Sequence, residues 1–165
     1  MEFCESEKRK PTAMSILSQV LRPTSSPSAD ALAALALRLG TGVMLLPHGI
    51  QKVSAYAQIV GVLQEGYGLP YVIAALVPII ELLAPAAVLL GLGTRVGAAL
   101  IAVLMIGAIP FHLEHGFFMN WFGTQAGEGY QFHVLAVGAS VALAVIGGGR
   151  YSVDALLARG SRASA

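Results

Sequence analysis

Four long apolar runs divide the chain, at roughly 31–50, 71–92, 96–113 and 130–147. Their apolar residues are continuous rather than alternating, which argues against strands and predicts helices. A helix rises ~1.5 Å per residue and a bilayer's hydrocarbon core is ~30 Å thick, so about 20 residues cross it. The first two runs reach that length. The last two sit near its lower limit, where flanking aromatic residues extend the burial. The pattern predicts an all-α membrane protein, a four-transmembrane-helix bundle over residues 31–148. After span one, Val53, Tyr56, Ala57, Val60 and Leu63 recur at helical spacing in a segment too short to span. That segment predicts a short interfacial helix. Small residues such as Gly42 in span one, Gly97 and Ala98 in span three and Gly138 in span four let neighbouring helices approach closely.

The flanks read differently. Residues 1–30 mix Glu5, Glu7 and Lys8 with Pro11, Pro23, Pro27, Ser25 and Ser26, the composition of a disordered tail. The apolar patch Ile16–Leu21 is too short for a signal-peptide core, and Met14 is as good a start as Met1. At the other end, the glycines of "GGGRYSVDALL" stop the last span, and Ser152 is placed to cap a short helix within segment 149–165. The cluster "GFFMNWFG", residues 116–123, reads as an aromatic belt at a membrane boundary, with Trp121 at its centre.

Composition supports lipid as the solvent. The chain is 56% hydrophobic and 12% charged, against about 25% charged in soluble domains, too little to cover a water-facing surface. A net charge of +1 without a basic stripe argues against nucleic-acid binding. Cys4 is the single cysteine, so thiol–disulfide chemistry would need a partner chain. Lys8, Arg9, Lys10 and Arg22 precede span one, Arg95 separates spans two and three, and Arg150, Arg159 and Arg162 follow span four. The other side carries only Lys52. By the positive-inside rule both termini are cytoplasmic, N-in/C-in.

Two ionisable residues stand inside the apolar runs. Arg38 lies in span one and Glu81 in span two, with backbones expected to differ in depth by only about 6 Å. An unpaired charge near the midplane costs at least ~2.5 kcal/mol on insertion scales, so the expectation is an Arg38–Glu81 pair. Pro78 and Pro85 flank Glu81 and each leaves one carbonyl without its helical partner. Either the pair locks two helices together, or Glu81 is a protonatable carboxyl in a small-molecule site. All four histidines, His48, His112, His115 and His133, fall at span ends on the outer side. His112 and His115 share a helical face if the helix continues that far, a weak metal or haem candidate beside Glu114. Other roles for these imidazoles are proton handling, contact with a quinone ring, or plain interfacial solvation.

These segments resemble the DoxX family. "RLGTGVMLLPHGIQK" is similar to its first-helix pattern and "ELLAPAAVLLGLGTR" to its second. "GFFMNW" and "GEGYQFHVLAVGASVALAVIGGGRYSVDALL" are similar to its third loop, fourth helix and C-terminal signature, so the match covers about residues 32–158. Pro47 stands where the family commonly has an aromatic or aliphatic residue, and Gln131 where many relatives have glutamate. The resemblance implies a four-helix protein of the bacterial inner membrane, of a kind often labelled an oxidoreductase. That label follows relatives of the membrane subunit of a thiosulfate:quinone oxidoreductase. On that reading Glu81, Arg38 and His48 are the candidate catalytic groups. His48, Lys52, His133, Gln131 and Trp121 mark the candidate quinone region, and a partner redox subunit or further copies of the chain are candidate partners. A quinone enters laterally from lipid and needs only an apolar slot with a few polar groups. Rossmann and P-loop signatures are absent. The alternative is a non-catalytic scaffold held by the Arg38–Glu81 pair.

Overall fold

The computed structural model describes residues 26–163, and these contain helices and connecting turns with no strand. Residues 1–25 of the expected disordered tail, with Cys4, Met14, the 16–21 patch and four of the basic residues, lie outside the described residues. Its last residues, from Pro27, are helical because Ser26 and Pro27 start a helix there. Helix α1 (Pro27–Ser54) opens where the Ser26 hydroxyl accepts the Ala29 N–H, with Pro27 at its first position and Asp30 in its first turn. These three features satisfy orphan N–H groups and the positive end of the helix dipole. The helix is longer at both ends than the apolar run that predicted it. The expected interfacial segment folds as the short helix α2 (Tyr56–Gly61) continued by a π-helical turn, Val62–Gly66.

Helix α3 (Tyr71–Leu90) contains Pro78 and Pro85 and ends at Gly91, whose φ of 74° is the left-handed conformation that terminates helices. Helix α4 (Thr94–Ala108) passes into a 3-10 turn, Ile109–His115, with Pro110 near its start. Helix α5 (Gln131–Ile146) ends at Gly147, and α6 (Val153–Ala163) closes the described chain. As expected, Ser152 caps α6, its hydroxyl accepting the Ala155 N–H. Among the described residues, three segments are long and apolar enough to cross a membrane: α1, α3, and α4 with its 3-10 extension. Helix α5 is equally apolar in character but has 16 residues.

The four apolar helices pack in a closed ring, α1 on α3, α3 on α4, α4 on α5 and α5 back on α1. Their shared core is Leu45, Ala84, Val88, Ala98, Ile101, Met105, Ala136 and Leu143. Five of these eight side chains are small or β-branched, which suits close backbone approach. The outward faces are apolar as well: Val43, Val72, Leu83, Val96, Val103, Leu135 and Val145 are exposed. A bundle apolar inside and out is a membrane protein's surface rather than a soluble domain's.

Candidate functional site

The ionisable side chains inside the bundle gather at its two ends, while the buried Ser140 hydroxyl lies along α5. At the end carrying the 116–130 loop, a cavity of about 300 Å³ opens between α1, α3, α4 and α5. Lys52, in the last turn of α1, donates a 2.7 Å hydrogen bond to Glu81 Oε1. Glu81 Oε2 lies 2.6 Å from the same ammonium, an ion-pair contact without hydrogen-bond alignment. The Glu81 side chain is 12% exposed and that of Lys52 is 35% exposed. The carboxylate is therefore the desolvated partner, and the ammonium reaches it from the wetter rim.

Local sequence explains how the two helices come so close there. Pro85 has no N–H for the carbonyl of Glu81, four residues earlier. Gly49 of α1 packs directly on that carbonyl, and a Cβ at Gly49 would collide with it. Nearby, the Tyr56 hydroxyl donates to the Ala75 carbonyl at 3.0 Å and ties α2 to α3. The Lys52–Glu81 pair thus sits where a proline and a glycine let two backbones touch.

Three imidazoles share the cavity wall. His48 and His112 each place Nδ1 3.0 Å from the carbonyl four residues earlier, Met44 and Ala108 respectively. A carbonyl only accepts, so in both neutral rings Nδ1 carries the proton and Nε2 offers a lone pair. The His133 ring lies 4.3 Å from that of His112, centroid to centroid, and its Nδ1 is buried without a hydrogen-bond partner. A buried polar atom without a partner is an anomaly in a packed bundle. Phe132 stacks near His48, and Leu45, Ile101, Leu104, Met105 and Met119 complete an apolar wall. Over the opening folds the 116–130 loop. Asn120 and Gln125 brace it with mutual hydrogen bonds, Glu128 accepts the Asn120 N–H, and Gly116 and Phe117 accept from Tyr130 and Gln131.

The expected Arg38–Glu81 pair does not form. Arg38 is 2% exposed and points to the opposite end of the bundle. Its Nε donates to the Val88 carbonyl (2.9 Å) and Nη2 to Leu89 (2.8 Å), both in the last turn of α3. Nη1 donates to Gly148 (3.2 Å) and Tyr151 (2.8 Å), in the connection between α5 and α6. Four carbonyls stand in for the carboxylate. The last carbonyls of a helix lack intrahelical donors and carry the negative end of its dipole, so they are a natural seat for a buried cation. The reason for the error is longitudinal. Arg38 lies beside Val88 and Leu89, seven and eight residues beyond Glu81, or about 10–12 Å along the helix. Gly91 adds the space required, since a Cβ there would strike the guanidinium.

The remaining predicted residues separate. His115 turns away from His112 towards the exposed Glu114, 3.5 Å distant. Among the described residues no three His, Cys, Asp or Glu side chains group as a metal site. The 3-10 turn that carries both residues stacks positions three apart on one face, but different partners hold the rings apart. His112 is fixed by the Ala108 carbonyl and the His133 ring, and His115 by Glu114. Gln131 does not line the cavity; its Oε1 stands 3.5 Å from the Met119 N–H and anchors the loop. Trp121 is 77% exposed, outside the cavity.

At the Arg38 end the structure adds a residue that the sequence reading left without a role. Asp154 of α6 accepts the N–H groups of Gly93 (2.7 Å) and Thr94 (3.0 Å) and the Thr94 hydroxyl (2.9 Å), capping α4 from a distant helix. Burial raises its carboxyl pKa, but those hydrogen bonds and the charge of Arg38 outweigh it and hold the group below the ordinary aspartate range. Its place in the quoted "GGGRYSVD" stretch was the available signal.

Comparison with known families adds one match, the DoxX family model over residues 33–119. The matched stretch runs from the start of α1 to the first part of the loop that covers the cavity. No curated protein and no solved structure matches the chain.

Proposed function

The chain belongs to the DoxX family and is an integral membrane protein; from that premise we propose that it is the quinone-binding membrane subunit of an oxidoreductase. In this reading α5 is a fourth span, shortened because the loop and the α6 connection cover its ends. Both termini face the cytoplasm of a bacterial inner membrane, and the cavity opens towards the outer leaflet. The observation that carries the proposal is the convergence of Lys52, Glu81, His48, His112 and His133 on one apolar cavity between membrane helices.

The residues fit a quinone head group. A volume of about 300 Å³ is at the lower end for small-molecule sites, enough for one ring with its tail leaving between helices. Phe132 and the aliphatic wall hold the ring's faces, and the Lys52 ammonium and the His133 Nδ1–H are donors for its carbonyl oxygens. His48 and His112 keep their N–H groups on backbone carbonyls and offer Nε2 as an acceptor for a hydroquinone. Unpartnered His133 Nδ1 is the polar atom that gains most from a ligand. Glu81, desolvated and shared with Lys52, holds a proton-exchanging position at the cavity wall. A bound quinone supplies two-electron, two-proton acceptor chemistry, its electrons coming from a partner redox subunit.

A short-chain quinone analogue titrated into the detergent-purified chain tests this reading by thermal shift. Saturable stabilisation is expected, reduced about tenfold or more in apparent affinity by Glu81→Gln and by His133→Phe, since a hydrogen bond to a charged or buried group carries about 1.5–3 kcal/mol. Absence of stabilisation in the wild type overturns it. A second reading, a membrane scaffold without catalysis, is favoured by the way the bundle's ends are tied through Arg38 and Lys52–Glu81. The exchange Lys52→Glu with Glu81→Lys separates the two. A scaffold regains its stability and its partners, whereas a quinone site regains stability without ligand binding.

A further inference from the structure

A second concavity lies at the end of the bundle opposite the cavity. The start of α4, the glycine turn 147–149 and the first turns of α6 enclose an open groove of about 600 Å³. Arg95, Arg150 and Arg159 line it, all with exposed side chains. None of the three forms an ion pair among the described residues. The one acid in the wall, Asp154, already spends its oxygens on Gly93 and Thr94. That cap also occupies the N–H groups that begin α4, so the groove's attraction for an anion comes from its guanidinium groups. Arg150 is held beside its neighbour, its guanidinium carbon 5.6 Å from the centre of the Tyr151 ring.

The rim of this groove is apolar. Val96 and Ile146 line it and are exposed on the outward surface, which continues through Val103 and Val145 along the bundle's flank. On α6, Leu156 is exposed while polar residues occupy the other face. An occupant that satisfies both parts needs a phosphate-like head and hydrocarbon chains that run along the helices. We propose that this groove binds the headgroup phosphate of an anionic phospholipid, with the acyl chains lying against Val96 and Ile146. Arginine suits that role because its planar fork grips phosphate oxygens in pairs. Basic pockets between membrane helices are a known physical solution for anionic lipid headgroups. The inference rests on the chain's residence in a membrane and is independent of what occupies the cavity at the other end.

The test uses the detergent-solubilised full chain and three probes: short-chain phosphatidylglycerol, phosphatidylcholine of the same chain length, and inorganic phosphate. The readout is the thermal unfolding midpoint across a titration. Phosphatidylglycerol is expected to stabilise saturably, and the other two to do so at least tenfold more weakly. Loss of one guanidinium near the lipid surface corresponds to roughly a fivefold change. R150Q/R159Q should therefore weaken the phosphatidylglycerol response about 25-fold, and R95Q alone about fivefold. These are exposed positions, and a helical circular-dichroism spectrum confirms that each variant is folded. Equal stabilisation by phosphatidylcholine, full stabilisation by inorganic phosphate, or an unchanged response in R150Q/R159Q and R95Q overturns the proposal.

Discussion

At the scale of single residues, the two charges that stand out in the apolar runs have different work. Arg38 satisfies carbonyls; Glu81 meets an ammonium. The distinction predicts opposite behaviour in charge exchange. Arg38→Gln removes a desolvated cation from four acceptors and keeps too few donors to replace it. A loss of about 3 kcal/mol or more is expected, since each charge-assisted hydrogen bond contributes roughly 1.5–3 kcal/mol net. Chemical or thermal unfolding in detergent measures it. The double exchange Arg38→Glu with Glu81→Arg should be worse than either change alone. It sets a carboxylate against four carbonyl dipoles and an arginine beside Lys52. Recovery of stability in that double variant would show the Arg38 arrangement to be wrong.

At the scale of elements, the bundle is tied by contacts that reach from one helix to the end of another. Asp154 of α6 caps α4, and the Asp154 N–H returns a hydrogen bond to the Gly91 carbonyl at 2.9 Å. The carboxyl is held below its ordinary pKa, so its contribution is fully present above the unfolded value, about 3.9. That contribution is lost as pH falls through the lower, folded value. Asp154→Ala should cost about 0.5–2 kcal/mol at neutral pH, the usual range for losing a helix cap. The gap in unfolding midpoint between wild type and variant should stay constant from neutral pH down to about pH 5 and then narrow below the ordinary aspartate pKa. A gap that widens with acid would contradict the assignment. Much of this element structure was legible in the chain: the apolar runs mark the helices, Gly91 and Gly147 mark their ends, and Ser152 marks a cap. What the runs do not encode is how far one helix slides along its neighbour. Two continuous apolar faces pack at several offsets, and aligning span ends placed Arg38 opposite Glu81. The true offset follows from Gly49 on the Glu81 carbonyl and Arg38 on the α3 terminus. Lys52, the one outer-side cation in the sequence, was the available clue to the partner of Glu81. The cavity's Phe132, Met105 and Glu128 carry no comparable mark. Their position depends on the closed ring and on the course of the loop.

At the scale of the whole molecule, charge is divided between the two ends and the flanks are left apolar. Arg95, Arg150 and Arg159 stand without an ion pair among the described residues at the α6 end. The loop end has Lys52, already neutralised by Glu81, with Glu128 lining the cavity and the exposed Glu114 beside His115. Lysine and arginine near span ends are retained on the cytoplasmic side, and acidic residues carry little weight in that choice. The division therefore predicts the loop end outside and the α6 end inside. Two positions report on it directly: Gln125 in the exposed loop and Ala158 on the exposed side of α6. In a Cys4→Ser background, Gln125→Cys should react with a membrane-impermeant maleimide in intact cells. Ala158→Cys should react only after permeabilisation. The same orientation would give the cavity its protons from the outer aqueous phase and bring the three arginines to the anionic inner leaflet. Labelling at Ala158→Cys in intact cells would reverse the molecule, and with it the side from which each ligand arrives.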